Sequence, residues 1–449
     1  MKFNRDGERL VIIDAVRTPI GQAGKSLSKF QSYELGIMTV EELVKRTGID
    51  KKEIELLVAG EISQSSKAPN SARVISVKSE LPLKNAAVTI ANNCVSGFEA
   101  INEAARRILL GECDTAIVVG EESMSNMPIY LEGVRHNSKT ANIAKIKANW
   151  NDIPEIEGIR PVDSVEEGLT DPVRNAMMIE TAEVVSQKLG MTKETLDKYA
   201  FGSYSKALKA IEAGKYKPYL MPITNENGVF ENDEFIMSKT GFVEKPERFE
   251  KAKPVYEMIE GGIKGFYEKY EKYIGKSYEE GKTKGTVSLF NSCPQSDGAG
   301  AILIMTESKA KELNLKPKAY LKGWGNYGVD PVYMGLGIAY AMNQALENTG
   351  LKWDDMGFFE IHEAFAATAL GSIITVKDEF GYDLVSRYEK GDINRNGGTL
   401  AMGHPLGATG VRVAINQLLE FDHDANAKYS MGSICAGGGV GGALILERG

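Results

Sequence analysis

Short apolar runs alternate with helical stretches at both ends of this chain, and a chain written that way folds as strands covered by helices. LVIIDAV at 10–16, closed by Arg17-Thr18-Pro19, reads as a buried strand. A helix over 33–47 follows, then the strand LLVAGEI at 56–62, a helix near 71–79 and the strand AAVTIA at 86–91. In CVSGFEAINEAARRILLG, Phe98, Ile101, Ala105 and Ile108 recur on one helical face, and 114–119 supplies a fourth strand. The alternation resumes at about 285 with the strands TVSLFN, GAILIMTE and AYLKGWG. A helix near 335–349, the strand FFEIH at 358–362, a helix after His404 running to about Glu420, and the strands KYSMGSIC and ALILE complete it. The expectation is a mostly parallel sheet covered on both faces, its strand–helix grammar used twice. The middle is less regular: 126–170 is polar and hard to assign, and 178–213 reads as two helices. Segment 263–284, rich in Lys, Glu and Tyr, reads as an exposed helix or solvated arm.

With 449 residues the chain has room for two or three domains. Lys and Arg total 53 against 61 Asp and Glu, a net charge of −8, which argues against a general nucleic-acid or membrane-surface binder. No signal peptide and no run long enough to span a bilayer are read. The four cysteines, 94, 113, 293 and 435, are too scattered for a disulfide framework and none makes a CxxC pair. A reduced, cytoplasmic protein without structural zinc is expected.

Four stretches concentrate groups capable of chemistry. Asn92-Asn93-Cys94-Val95-Ser96-Gly97 puts a thiol at a strand-to-helix junction, where free N–H groups favour a thiolate. The helix alone lowers a thiol pKa by less than about one unit, so a nucleophile there wants a base as well. Taken singly, such a cysteine is more often a small packing residue. Glu360-Ile361-His362-Glu363-Ala364-Phe365 sets a histidine where a strand ends and a helix begins, as a cleft residue or as a cap. A zinc reading fails, because Ala366 stands where HExxH needs its second ligand. The run 396–410 packs glycines around His404, with Pro405 suited to a first helical position. The last, Cys435-Ala436-Gly437-Gly438-Gly439, lacks the following helix and acidic residue of a dinucleotide fold. It reads instead as a tight turn whose N–H groups converge as an oxyanion site. His136 and His423 carry no comparable signal, and Cys113 reads as structural.

With NNCVSGFEA, HEAFA, NGGTLAMGHPLGATGVR and CAGGGVGGALILE in that order, the chain resembles the thiolase family, the acyl-CoA:CoA C-acyltransferases. GECDTAIVVGEESMSNMP and MIETAEVVSQKLG also look like thiolase segments. The resemblance implies two similar five-stranded α/β/α halves and an inserted, mainly helical loop domain that holds coenzyme A. On this chain the halves would be 1–120 plus 285–306, carrying Cys94, and 307–449, carrying His362, His404 and Cys435; the insertion would be 121–284. By the same resemblance Cys94 is the nucleophile that becomes acylated, His404 activates it, and Cys435 is the acid/base at the substrate α-carbon. Backbone N–H groups of Cys94 and Gly437 form an oxyanion hole, and Met178, Cys293 and Phe365 contact substrate or coenzyme A. Acyl-CoA and coenzyme A are substrates, and no bound metal or cofactor is expected. A homodimer or homotetramer is implied, and by analogy with the trifunctional assembly a hydratase/dehydrogenase partner subunit.

Three departures from the family pattern carry expectations of their own. Histidine at 362, where most thiolases have asparagine, resembles the fatty-acid-oxidation subgroup and points to 3-ketoacyl-CoA thiolysis or its reversal. Cys293 replaces a usual serine and adds a third thiol near the site. Segment 260–284 has no clear counterpart. The alternatives are a short-chain acetoacetyl-CoA thiolase, a decarboxylating ketoacyl synthase, which would use one cysteine and two histidines, and an inactive acyl-CoA-binding scaffold.

Overall fold

The computed structural model describes residues 7–134, 159–226, 228–245 and 247–449. Nine strands lie along one sheet: β1 (Leu10–Arg17), β2 (Leu56–Gly60), β3 (Ala86–Ile90), β4 (Thr115–Ser123), β5 (Ser296–Thr306), β6 (Ala319–Gly328), β7 (Met356–Ile361), β8 (Tyr429–Ala436) and β9 (Val440–Arg448). Their order is β7-β8-β9-β6-β1-β5-β4-β2-β3, and the pair Gly21–Gln22 adds a tenth, short strand beside β5. The two ends of the sheet repeat one plan. The series β1-β5-β4-β2-β3 is matched by β6-β9-β8-β7, and Ile393, bridged in parallel to Phe359, stands in the fifth place. No fifth strand forms there because the Asn394 side chain takes the ladder's role. It accepts from the Ile361 amide at 2.7 Å and donates to the Ile361 carbonyl at 2.8 Å. β1 and β6 join the two series through only two residue pairs.

The sheet is mixed rather than mostly parallel. β2 runs parallel to β3 and β4, and β7 to β8, while β1, β5, β6 and β9 pair antiparallel with their neighbours. Strand–helix alternation sets only the connections that cross over through a helix. The link from β8 to β9 is a three-residue turn, which can join only antiparallel strands. TVSLFN is not a strand either. Its amides are claimed by side chains: those of Thr286 and Val287 donate to the Glu183 carboxylate at 2.9–3.1 Å, and that of Ser288 to Asn291.

Two helices cross at the centre. After α1 (Ser32–Thr47) and α2 (Ser71–Lys78) comes α3 (Ser96–Leu109), and after α7 (Gly337–Thr349) and α8 (Ala366–Phe380) comes α9 (Thr409–His423). α3 and α9 pack N-terminus to N-terminus, and α9 is buried continuously from Thr409 to Phe421. Glycine is required at the crossing. A Cβ on Gly97 would lie 2.8 Å from the Gly407 carbonyl oxygen, and one on Gly410 would lie 2.4 Å from the Phe98 nitrogen. That closeness brings the loop before each helix against the other.

Between β4 and β5 the described residues form small hairpins and helices, chiefly α4 (Met178–Leu189) and α5 (Lys193–Glu212). Arg17 anchors this stretch to β1 by donating to both Asp233 carboxylate oxygens at 2.7 and 2.8 Å. The Lys/Glu/Tyr-rich segment is not a solvated arm. It forms α6 (Gly262–Ile274), whose Phe266, Tyr267, Tyr270 and Ile274 are buried. Tyr270 and Tyr267 donate to Glu180 and Gln187 of α4, each at 2.8 Å. The tyrosines, spaced three apart, are the apolar stripe that the many charges obscure. Phe266→Ala is expected to destabilise the fold by about 3–5 kcal/mol in denaturant titration. A residue on a free arm would change it by less than about 0.5 kcal/mol. Among the described residues no helix is long and apolar enough to cross a membrane.

Candidate active site

The chain leaves β3 and enters α3 through a turn in which Asn93 adopts a left-handed φ of 46°, a conformation asparagine tolerates better than most residues. Asn93 Nδ2 donates to the Gly437 carbonyl at 2.8 Å, tying this turn to the β8–β9 turn from the other end of the sheet. The Gly437 amide and the Cys94 amide both point at the Cys94 sulfur. Burial nevertheless pushes the thiol up to about 12, outweighing both amides, and the nearby Glu122 acts in the same direction. The helix N-terminus, expected from sequence to favour a thiolate, is overruled by desolvation. Cys94 rests as a neutral thiol.

His404 is held by its backbone and by its ring. Its amide donates to the Pro294 carbonyl at 3.2 Å, and Nδ1 lies 2.7 Å from Thr409 Oγ1. The Thr409 hydroxyl has one hydrogen, and it donates to the Pro405 carbonyl at 2.9 Å. It therefore accepts from Nδ1–H, which leaves the lone pair on Nε2, an atom buried with no partner. Pro405 caps this turn rather than opening the helix, which begins at Thr409. The loop is pinned to the other half of the sheet by Glu122, whose carboxylate accepts from the amides of Gly407, Ile62 and Ser63 at 3.0–3.2 Å.

His362 follows β7, and its amide donates to the Ser433 carbonyl at 2.9 Å. Its Nδ1 lies 3.5 Å from Cys435 Sγ, and its ring centroid is 4.3 Å from that of His404. Burial lowers both histidines, His404 to about 3 and His362 well below its ordinary value. The neighbouring Arg412 cation adds to this for both, and His404 adds to it for His362. Both rings are neutral at pH 7. The Cys435 thiol is pushed well up by burial and by Cys94 and Cys293.

Cys94, His404 and Cys435 line one cavity of about 520 Å³, together with Met178, Cys293 and Phe365. His362 stands against its wall through Cys435 and His404, and Gly437 reaches it through the Cys94 sulfur. The residues singled out in the sequence thus come to one place. Cys293 opens onto the same cavity, its amide bonded to the Ala364 carbonyl at 3.0 Å and its thiol raised by burial and by Cys94. Of the remaining His and Cys, Cys113 is buried, His423 is exposed at the end of α9, and His136 lies outside the described residues. Sequence reasoning gave no role to Asn93, Thr409, Glu122 or Leu406, a further lining residue. Asn93, Thr409 and Leu406 lie inside the quoted motifs, so the signal was position beside a reactive residue. Glu122 lies in the quoted segment GECDTAIVVGEESMSNMP, but no reactive residue beside it marked a role.

Two residues before His362, burial and the nearby Glu420 push the Glu360 carboxyl up to about 8, against the pull of Asn416 and Arg412. Between its ordinary value of 4.5 and that point, the folded protein holds a proton that the unfolded chain has lost. This contribution is complete below pH 4.5 and is lost as pH rises through 8. Unfolding free energy is therefore expected to fall between pH 5 and 8, by up to about 1.4 kcal/mol per pH unit from this group. Glu360→Gln should flatten that slope in denaturant titrations across the same range.

Family models for the thiolase N-terminal domain and the thiolase C-terminal domain match residues 10–264 and 315–448. An acetyl-CoA acetyltransferase of Cupriavidus necator is 32% identical over 445 residues, covering 98% of this chain and 99% of its own. The solved acetyl-CoA acetyltransferase of Syntrophomonas wolfei superposes with a TM-score of 0.83 at 28% identity, over 98% of this chain and 99% of that one. Human mitochondrial 3-ketoacyl-CoA thiolase in complex with CoA gives 0.82 at 28% identity, over 98% of each chain.

Proposed function

The chain belongs to the thiolase family, and from that membership we propose that it cleaves 3-ketoacyl-CoA with coenzyme A, or runs the reverse Claisen condensation. The observation that carries this reading is the convergence of Cys94, Cys435 and neutral His404 on one cavity, with neutral His362 behind its wall. In thiolysis Cys94 Sγ attacks the C3 carbonyl while His404 Nε2 takes its proton. The C2–C3 bond breaks, and Cys435 protonates the departing acetyl-CoA carbanion. Coenzyme A thiol then displaces the acyl group from Cys94. The amides at the Cys94 sulfur stabilise the oxyanion of the acyl transfers, and His362 with His404 stabilises the oxygen of the acetyl-CoA enolate. Two thiols are needed because one holds the acyl group while the other moves the proton. That requirement separates the reading from a decarboxylating synthase.

Neutral resting groups suit such a cycle, since proton transfer accompanies attack and no charge waits in a buried site. Thr409→Val removes the acceptor that fixes the His404 ring. It is expected to slow acetylation of Cys94 by acetyl-CoA about threefold to tenfold, read by intact mass against time, with Thr409→Ser restoring the rate.

The same proposal includes β-oxidation as the setting, cytoplasmic placement and a homo-oligomer, with Met178, Cys293 and Phe365 as substrate contacts and a hydratase/dehydrogenase subunit as possible partner. It divides the chain as 1–120 plus 285–306, 121–284 and 307–449. None of the four cysteines is joined in a disulfide, as suits a reducing compartment. β3 is an edge strand with Leu83 beside it 72% exposed, a surface suited to a second copy. The deciding experiment is coenzyme-A-dependent loss of 3-ketoacyl-CoA from acetoacetyl to palmitoyl length on purified protein. Activity rising with chain length supports the β-oxidation reading. Activity confined to acetoacetyl-CoA makes it a short-chain acetyltransferase, as the names of several relatives would suggest, and no activity overturns the thiolase reading.

A further inference from the structure

Beside the catalytic cavity lies a second, smaller one of about 120 Å³. The two share a wall formed by Met124, Val165, Leu169 and Leu406. Beyond that wall the small cavity is bordered by Ile62, Ser63, Met127, Tyr130, Ser164 and Gly168, and it opens to solvent past the exposed Tyr130 and Gly168. Its position against Leu406, two residues from His404, makes it an extension of the space in which an acyl chain on Cys94 would lie.

Two of its residues bring polar atoms to it. Ser63 Oγ and Ser164 Oγ have no hydrogen-bond partner within the protein. A hydroxyl at a cavity wall that no protein group engages is free to pair with a polar group that enters. Neither hydroxyl serves its own backbone. The Ser63 amide goes to Glu122, and the short helix that Ser164 opens is capped by Asp163, which accepts from the Val165 amide at 2.8 Å. The serines come from distant parts of the chain, one just after β2 and the other beyond β4, yet both border the same small space.

The charges around it restrict what fits. Among the described residues no Lys, Arg or His lines the small cavity, and the Glu122 carboxyl behind the Ile62 and Ser63 amides is pushed up to about 8 by burial and by Glu61. An anionic end would give up its water there with no cation among the described residues to offset the loss. A neutral group that accepts or donates a hydrogen bond meets two hydroxyls that can do either.

We propose that this side cavity is an acyl-tail subsite in which Ser63 and Ser164 bind a neutral polar group. The substrate is then a 3-ketoacyl-CoA whose chain carries a hydroxyl or a second ketone toward its far end, rather than a plain alkyl chain or a dicarboxylic one. This rests on the thiolase reading above and names the substrate class for the same site.

The test compares 3-ketoacyl-CoA substrates matched in length, roughly six to ten carbons, ending in a methyl, a hydroxyl, a ketone or a carboxylate. For the intact protein, kcat/KM for the hydroxyl or ketone member should exceed that of the plain congener by about tenfold at the length that reaches the serines. In the Ser63→Ala/Ser164→Ala double variant that ratio should fall toward one. Equal or better turnover of plain chains at every length overturns the proposal, as does a ratio that survives the double variant. A preference for the carboxylate overturns the neutral-group assignment. Affinities of the matching acyl-CoA pairs for the Cys94→Ser protein, measured by calorimetry, report the same ratio without turnover. A thiolase reading that failed on acetoacetyl-CoA would therefore be told apart from a subsite that does not select.

Discussion

Cys94→Ser is expected to end covalent acetylation by acetyl-CoA and to lower thiolysis on the order of 10⁴-fold or more. The substitution keeps the turn, the two amides aimed at position 94 and the wall of the cavity, so the loss reports the atom rather than the fold. A thiol raised to about 12 by burial still yields its proton to an imidazole during attack, because sulfur is polarisable and its anion is tolerated. A serine hydroxyl is far less acidic than a thiol, so the same imidazole takes its proton far more slowly. The reading is the intact mass after brief exposure to acetyl-CoA. The native protein should gain one acetyl group and the variant none. If the variant still gains it, the neighbouring Cys293 is the first suspect, and Cys293→Ala in the same background identifies the acceptor.

Cys435→Ala should divide the reaction in two. Acetyl transfer from acetyl-CoA to Cys94 needs no proton at the α-carbon, so acetylation should persist. Carbon–carbon cleavage does need one, and so does exchange of the acetyl methyl hydrogens of acetyl-CoA with heavy water. Both should fall on the order of 10³-fold, the usual scale of a lost general acid/base. His362 Nδ1, 3.5 Å from the missing sulfur, is a poor substitute because burial keeps its ring neutral, without the extra proton that the carbanion needs. Thiolysis by this variant at near the native rate would disprove the division of labour between the two cysteines.

The α/β class and the reactive motifs were legible because each depends on local pattern. Apolar runs of strand length, the helical face of Phe98 and Ile101, and cysteines and histidines set among glycines are visible without a fold. The direction of the strands was not. Alternation predicts parallel pairing, but β9 and β6 pair across more than a hundred residues of chain, and no local signal reports that register. TVSLFN has strand composition, yet Glu183, about a hundred residues away in sequence, takes its amides. The segment 263–284 reads as solvated because charges dominate its average, and its tyrosine stripe acquires meaning only against α4.

The protonation state of the site divides the same way. Sequence alone determined which groups are present: a thiol before a helix, a histidine after a strand, a histidine before proline, and a thiol before a glycine turn. From position at a helix start it favoured a thiolate, since the only field it can weigh is that of the nearest element. The tertiary structure decided the opposite, because desolvation depends on everything packed around the sulfur and outweighs two well-aimed amides. It also decided which imidazole nitrogen is free, through the single hydrogen of Thr409, and where two unpaired serine hydroxyls stand. Residue identity is carried by the chain, whereas charge state and orientation belong to the packed environment, which exists only once distant segments have met.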